Sequence, residues 1–139
     1  MKALAPVLAV MIVLVVTLQS MGHDGEDEEV CCPICGPGIT LKDTPNPGGN
    51  ANQINGSDEW AMDAGEAFQA IEYKVTLKNS NPVQTTQASI TTSPPNQNWS
   101  ITLTVAAGTY NPTKATLYSL KCGTVVQRSV TGNKDQKVN

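Results

Sequence analysis

The stretch W-S-I-T-L-T-V, residues 99–105, alternates large apolar and small polar side chains without interruption. Because successive side chains of a β-strand point to opposite faces of a sheet, this pattern predicts a strand with one buried face. The same alternation occurs in residues 70–77, where the apolar positions are Ile71, Tyr73, Val75 and Leu77. The two segments together favour a fold built on sheets.

Three further segments suit β-strands. Residues 84–92 are rich in β-branched side chains, but only Ala88 and Ile90 could form an apolar face, which is typical of an edge strand. Residues 113–121 and 124–131 continue the pattern toward the C-terminus. Gly, Pro and Asn residues separate these segments and predict turns between them.

Five strands joined by turns predict an all-β fold, a small antiparallel β-sandwich at residues 67–132. Residues 59–68 are ambiguous, because Ser57 or Asp58 could cap a short helix there that carries Trp60. A domain of about 60 residues buries only about 60% of the surface that its unfolded chain exposes. We therefore expect a covalent tie, a packed neighbouring segment or a partner to add stability.

The second half of the chain resembles a known family in the spacing of its apolar, aromatic and glycine residues. The positions that carry the resemblance are Trp99, Ile101, Leu103, Val105, Gly108, Tyr110, Ala115, Leu117, Tyr118 and Gly123. This pattern is similar to the C-terminal half of bacterial immunoglobulin-like or fibronectin type III-like modules of exported proteins. The chain departs from it at Asn111-Pro112, which interrupts the strand after the tyrosine. The resemblance implies an immunoglobulin-like sandwich with a scaffold or adhesion role and no fixed catalytic site.

The N-terminus has the pattern of an export signal. Lys2 precedes an uninterrupted apolar run at residues 3–16, and small and polar residues follow it. A membrane-spanning helix needs about 20 apolar residues, so the shorter run predicts a signal peptide at residues 1–22, cleaved after Gly22. The alternative is that this segment is not cleaved and stays in the protein as a single membrane anchor. The expected location is secreted, periplasmic or at the cell surface, with no membrane contact beyond the export signal.

The region between the signal and the sandwich, residues 23–66, has the composition of a disordered arm. Five of the seven residues at 23–29 are acidic, and such a block repels itself and buries little apolar surface. A cysteine cluster follows, and residues 42–58 are rich in Pro, Gly and Asn, which predicts a linker. The last residues, 133–139, form a polar tail that we expect to fray.

The four cysteines, Cys31, Cys32, Cys35 and Cys122, are all disulfide candidates in an exported chain. The simplest pairing joins Cys31 to Cys122 and Cys32 to Cys35, and the long loop would contribute roughly 4 to 5 kcal/mol. Alternatively, Cys32 and Cys35 could form one knuckle of a zinc site or a thiol-redox pair. A complete zinc ribbon needs a second such pair, which the sequence lacks.

Composition argues against several function classes. The chain carries a net charge of −3, and a nucleic-acid binder would need a basic stripe. His23 is the only histidine and lies in the acidic arm, so no Ser–His–Asp set is expected. The acids Asp58, Glu59, Asp63 and Glu66 are close in sequence and suit a solvated face.

The sequence therefore predicts a non-enzymatic binding or structural module without a cofactor, whose partner is a protein or a glycan. A metal-binding or redox protein that uses residues 31–35 is the alternative. Among the aromatic residues, Trp99 and Tyr73 share their strand faces with aliphatic residues and are expected in the core. Tyr118 lies on the opposite strand face from Leu117 and is the better candidate for an exposed contact.

Overall fold

A computed structural model describes residues 38–139, and most of these residues lie in β-strands. Two short 3-10 turns, Pro47–Gly49 and Pro95–Gln97, interrupt them. The nine strands are β1 (Lys42–Pro45), β2 (Gln53–Glu59), β3 (Glu66–Thr76), β4 (Thr85–Ile90), β5 (Asn98–Thr104), β6 (Gly108–Tyr110), β7 (Lys114–Lys121), β8 (Thr124–Thr131) and β9 (Gln136–Val138). None of the helices within residues 38–139 is long and apolar enough to cross a membrane.

The strands form two sheets and a short ribbon, and every strand pair is antiparallel. One sheet has the order β1-β2-β5, the other has the order β4-β3-β7-β8, and β6 pairs with β9. The predicted all-β class is therefore confirmed. The five strands expected from alternation correspond to β3, β4, β5, β7 and β8, and β4 lies at a sheet edge as predicted.

The two sheets contribute to one hydrophobic core, as in a β-sandwich. Its residues are Ile39, Ile54, Trp60, Ile71, Tyr73, Val75, Trp99, Ile101, Leu103, Val105, Tyr110, Ala115, Leu117 and Val138. Burying a large apolar side chain contributes about 1.5 to 3 kcal/mol, so this cluster is the main source of stability. At Gly56 of β2 a Cβ atom would overlap the ring of Tyr73, so only glycine allows this close approach.

The predicted linker at residues 42–58 is wrong, because the segment contains β1 and all but the last residue of β2. β2 is the central strand of its sheet and pairs with β1 on one side and β5 on the other. Its one large aliphatic residue, Ile54, is fully buried. Composition failed here because the backbone hydrogen bonds of a central strand come from its neighbours, whatever its side chains are.

The predicted short helix after Ser57 is also wrong. β2 continues to Glu59, and Trp60 pairs with Ile39 in an isolated bridge. The Trp60 ring packs on Phe68 with 5.1 Å between ring centroids. Trp60 thus covers one part of the core, as expected for a packed neighbouring segment.

The prediction that the C-terminal tail frays is wrong. Residues 136–138 form β9, and Gln136 and Val138 are buried. The Asn139 amide donates a hydrogen bond of 2.9 Å to Asn46 Oδ1. The predicted signal peptide at residues 1–22, the acidic arm and the cysteine cluster at residues 31–35 lie outside the described residues and stay predictions.

Candidate functional site

A buried polar network joins the two sheets at Asp43. The Tyr73 hydroxyl donates a hydrogen bond of 2.7 Å to Asp43 Oδ1, and the Thr113 hydroxyl donates one of 2.6 Å to the same oxygen. Tyr73 and Thr113 are fully buried, whereas Asp43 on β1 is partly exposed. Two donors on one oxygen hold the carboxylate in a fixed orientation.

The environment of Tyr73 keeps its hydroxyl protonated. Burial raises the pKa of Tyr73 far above its ordinary value of 10, and the hydrogen bond to Asp43 and the negative charge of Asp43 raise it further. The pKa rises because a phenolate at this position would lose its hydration and would lie next to the Asp43 carboxylate. Tyr73 therefore acts as a hydrogen-bond donor and not as a base.

Asp43 lies at the wall of a polar cleft of about 360 Å³. The cleft is lined by Leu41, Lys42, Asp43, Thr131, Gly132, Asn133, Lys134 and Gln136. These residues lie at the start of β1 and just before it, at the end of β8, in the connection from β8 to β9, and at the start of β9. Its volume lies in the range of small-molecule sites, and its lining offers carboxylate, amide, hydroxyl and ammonium groups.

A second charged cluster lies where β3 begins. Arg128 Nη2 donates hydrogen bonds of 2.7 and 2.8 Å to the two carboxylate oxygens of Glu66. The Glu66 side chain is fully buried and that of Arg128 is 10% exposed. Glu66 also accepts hydrogen bonds from the Ser119 hydroxyl and from the Asp63 amide.

The prediction that Glu66 lies on a solvated face is therefore wrong, because its side chain is buried and forms an ion pair with Arg128. Within residues 38–139, the groups that bond to its carboxylate are the Arg128 guanidinium, the Ser119 hydroxyl and the Asp63 amide, which satisfy its hydrogen bonding, so we interpret the cluster as structural. Breaking such a pair by removing one partner costs about 3 to 5 kcal/mol.

The outer face of the four-stranded sheet carries the aromatic residue that we expected to be exposed. Tyr118 on β7 is partly exposed, and its cross-strand neighbours are Ala70 on β3 and Gln127 on β8. Trp99 and Tyr73, by contrast, are buried in the core as predicted. The small and polar neighbours leave part of the Tyr118 ring open to solvent.

Of the four cysteines, one lies among the described residues and three lie outside them. Cys122 lies in the turn between β7 and β8 and is exposed, whereas Cys31, Cys32 and Cys35 lie outside the described residues. Disulfide pairing and a zinc or redox role of the Cys32–Cys35 pair therefore stay predictions. Within residues 38–139, no group of three or more His, Cys, Asp or Glu side chains could hold a metal ion.

Sequence analysis missed Asp43 and the cleft. The partners of Asp43 are 30 residues away at Tyr73 and 70 residues away at Thr113, so no local spacing connects them. A weak signal was available, because Asp43 is an acidic residue close to a run of turn-forming Pro, Gly and Asn residues. Comparison of the chain with models of known protein families, with curated proteins and with solved structures finds no match.

Proposed function

We propose that this chain is an exported, non-catalytic binding module whose cleft at Asp43 binds a hydroxyl-rich ligand, a glycan. The observation that carries the proposal is the oriented Asp43 carboxylate, which two buried donors hold at the wall of a polar cleft. A fixed acceptor beside exposed amide and ammonium groups suits a ligand whose hydroxyls both donate and accept.

The cleft lining has the complementary groups for this ligand. Lys42, Asn133 and Lys134 are exposed and can donate hydrogen bonds, while Asp43 can accept them. Opposite charges lie close together, so neither a strongly acidic nor a strongly basic ligand is favoured. Preorganisation by Tyr73 and Thr113 lowers the entropic cost of binding, because the carboxylate is already ordered.

The proposed scaffold is an immunoglobulin-like or fibronectin type III-like sandwich. Its support is the division of strands into β1-β2-β5 and β4-β3-β7-β8, with one shared core. A further support is the Tyr110 hydroxyl, which donates a hydrogen bond of 2.7 Å to the Ala106 carbonyl just before β6. This contact resembles the tyrosine corner that is a hallmark of immunoglobulin-like sandwiches. On this proposal the first 22 residues direct export.

The test is a glycan-binding screen with the secreted protein, followed by calorimetric titration of the ligands found. We expect the double variant Asn133→Ala, Lys134→Ala to weaken binding at least tenfold, because both side chains line the cleft and are exposed. Gln87→Ala is the control, since Gln87 is exposed on β4, at the opposite edge of the four-stranded sheet from β8, and does not line the cleft.

Two results would overturn the assignment. Loss of binding in Tyr118→Ala, with unchanged binding in the double variant, would place the ligand on the outer sheet face. Release of reducing sugar ends from the bound glycan would contradict a non-catalytic role.

A further inference from the structure

The two oxygens of the Asp43 carboxylate have different surroundings. Oδ1 accepts both hydrogen bonds that hold the side chain, one from the Tyr73 hydroxyl and one from the Thr113 hydroxyl. Within residues 38–139, no group donates a hydrogen bond to Oδ2, and Oδ2 is not sealed from solvent. Asp43 is partly exposed and lines the cleft. Oδ2 is therefore the oxygen that a ligand in the cleft can reach.

Gly132 forms the part of the cleft wall that faces Oδ2. A Cβ atom at Gly132 would lie 2.9 Å from Asp43 Oδ2 and 3.5 Å from the Thr113 hydroxyl oxygen. The Gly132 amide donates a hydrogen bond of 2.8 Å to the Thr113 carbonyl, which holds the glycine beside the network. Its φ is not positive, so the backbone conformation itself does not require glycine. The missing side chain leaves space, and this space gives access to Oδ2.

The position next to Oδ2 suits a small, uncharged hydrogen-bond donor. A carboxylate oxygen accepts hydrogen bonds and donates none, so ether oxygens and carboxylates of a ligand are poor partners for it. A cationic amine would also donate, but Lys42 and Lys134 line the same cleft and oppose another positive charge. A hydroxyl meets both requirements, and its bond to a charged acceptor is stronger than a bond between neutral groups.

The position of Oδ2 is fixed by the hydrogen bonds of the other oxygen. Turning the Asp43 side chain would break the bonds from Tyr73 and Thr113, and both of these hydroxyl groups belong to fully buried residues. A buried donor that loses its acceptor is costly, so the carboxylate stays in this orientation. Oδ2 therefore meets a ligand at one defined place.

We propose that Asp43 Oδ2 is the specificity-determining acceptor of the cleft, and that it takes a hydrogen bond from one free hydroxyl of a neutral sugar that approaches across Gly132. This inference rests on the proposed glycan function and names the atom and the ligand group that select the glycan. A sugar that lacks this hydroxyl, or carries it as a methyl ether, is rejected, because Oδ2 would lose hydration without gaining a bond.

The first experiment varies the ligand. The probes are the methyl glycosides of glucose, galactose and mannose, together with their monodeoxy and mono-O-methyl derivatives, and ligand-observed NMR titration measures each dissociation constant. We expect one ring position at which both derivatives bind about tenfold to hundredfold more weakly than the parent glycoside. Equal affinities of the parent glycoside and all of its derivatives would overturn the inference.

The second experiment replaces Asp43 by Asn. The buried hydroxyls of Tyr73 and Thr113 need an acceptor, so the amide oxygen takes the Oδ1 position and the amide nitrogen takes the Oδ2 position. Asp43→Asn thus keeps the network and turns the acceptor in the cleft into a donor. We expect the difference in affinity between the parent glycoside and its deoxy derivative to disappear in this variant. An undiminished difference would overturn the role of Oδ2.

The third experiment closes the access to Oδ2. In Gly132→Ala the added methyl group would lie 2.9 Å from Oδ2, so it covers or displaces this oxygen. We expect the parent glycoside to bind at least tenfold more weakly, whereas Gln87→Ala, an exposed control outside the cleft, binds as the unchanged protein does. Unchanged affinity in Gly132→Ala would contradict an approach across this residue. If Gly132→Ala does not fold, Asp43→Asn decides the inference.

These outcomes separate the inference from the proposed function. If the double variant Asn133→Ala, Lys134→Ala weakens binding while Asp43→Asn and Gly132→Ala do not, the cleft binds glycans but Oδ2 does not select them. If none of the three methyl glycosides binds, the inference is overturned, and the glycan screen alone decides the proposed function.

Discussion

Trp99 and Tyr118 are both strand aromatics, but they occupy opposite environments. Trp99 is buried, its Nε1 donates a hydrogen bond of 3.0 Å to the Thr40 carbonyl, and its ring centroid lies 6.0 Å from that of Tyr73. We expect Trp99→Ala to lower the free energy of unfolding by about 3 to 5 kcal/mol, since it removes core packing and leaves a cavity.

Tyr118→Ala is the comparison, with an expected loss of about 1 kcal/mol because its ring is partly exposed. Urea unfolding of both variants, followed by tyrosine and tryptophan fluorescence and by circular dichroism, measures the difference. A larger loss for Tyr118→Ala would contradict the core assignment.

Single residues show where local sequence was informative. The core positions Tyr73 and Trp99 were predicted from alternation alone, because burial follows from the side of the strand on which a residue lies. Glu66 was assigned to a solvated face, yet its carboxylate is buried against Arg128, which is 62 residues away in sequence. No local pattern reveals an ion pair whose partners meet only through the pairing of β3, β7 and β8.

At the scale of elements, the polar composition of residues 133–139 gave no indication that they contain a strand, β9. Val138 is buried in the core, Gln136 is buried beside it, and β9 is the only partner of β6 among the described strands. Deleting residues 136–139 should lower the free energy of unfolding by about 3 kcal/mol or more, from lost apolar burial and lost hydrogen bonds.

For a domain of this size, that loss corresponds to a melting temperature lower by roughly 12 °C or more. Differential scanning calorimetry measures it. Lys137→Ala is the control, because Lys137 lies in the same strand with an exposed side chain. A truncated protein with an unchanged melting temperature would show that β9 is dispensable.

The elements also show why β1 and β2 were missed while β3 and β5 were found. β3 and β5 alternate apolar and polar side chains because each has one face on the core. β2 has only Ile54 as a large apolar residue, and Gly56 fills the next inward position because Tyr73 occupies the space above it. The side chain that completes this part of the core comes from another strand.

At the scale of the whole molecule, the Tyr73–Asp43–Thr113 network joins the two sheets, since Asp43 belongs to β1 and Tyr73 to β3. The pKa of Tyr73 is raised above its unfolded value of 10, so the folded state holds this proton more tightly than the unfolded state does. Stability from this group is complete below pH 10 and falls above it, by about 1.4 kcal/mol per pH unit.

Urea unfolding between pH 9 and pH 11.5 tests this prediction, with tyrosinate absorbance recorded in parallel. Burial also raises the pKa of Tyr110, so Tyr110 contributes to the same alkaline loss. In Tyr73→Phe we therefore expect a smaller slope of stability against pH and not a flat profile. An unchanged slope in this variant would show that Tyr73 does not cause the alkaline loss.

Local sequence patterns were sufficient to predict the all-β class, the positions of five strands and the inward faces of β3 and β5. They were sufficient because strand periodicity and turn residues are local properties of the chain. Only the tertiary structure revealed β1, β2 and β9 as strands, the buried Glu66–Arg128 pair and the cleft at Asp43. These features depend on contacts between residues that are far apart in sequence, and such contacts exist only after the two sheets have come together.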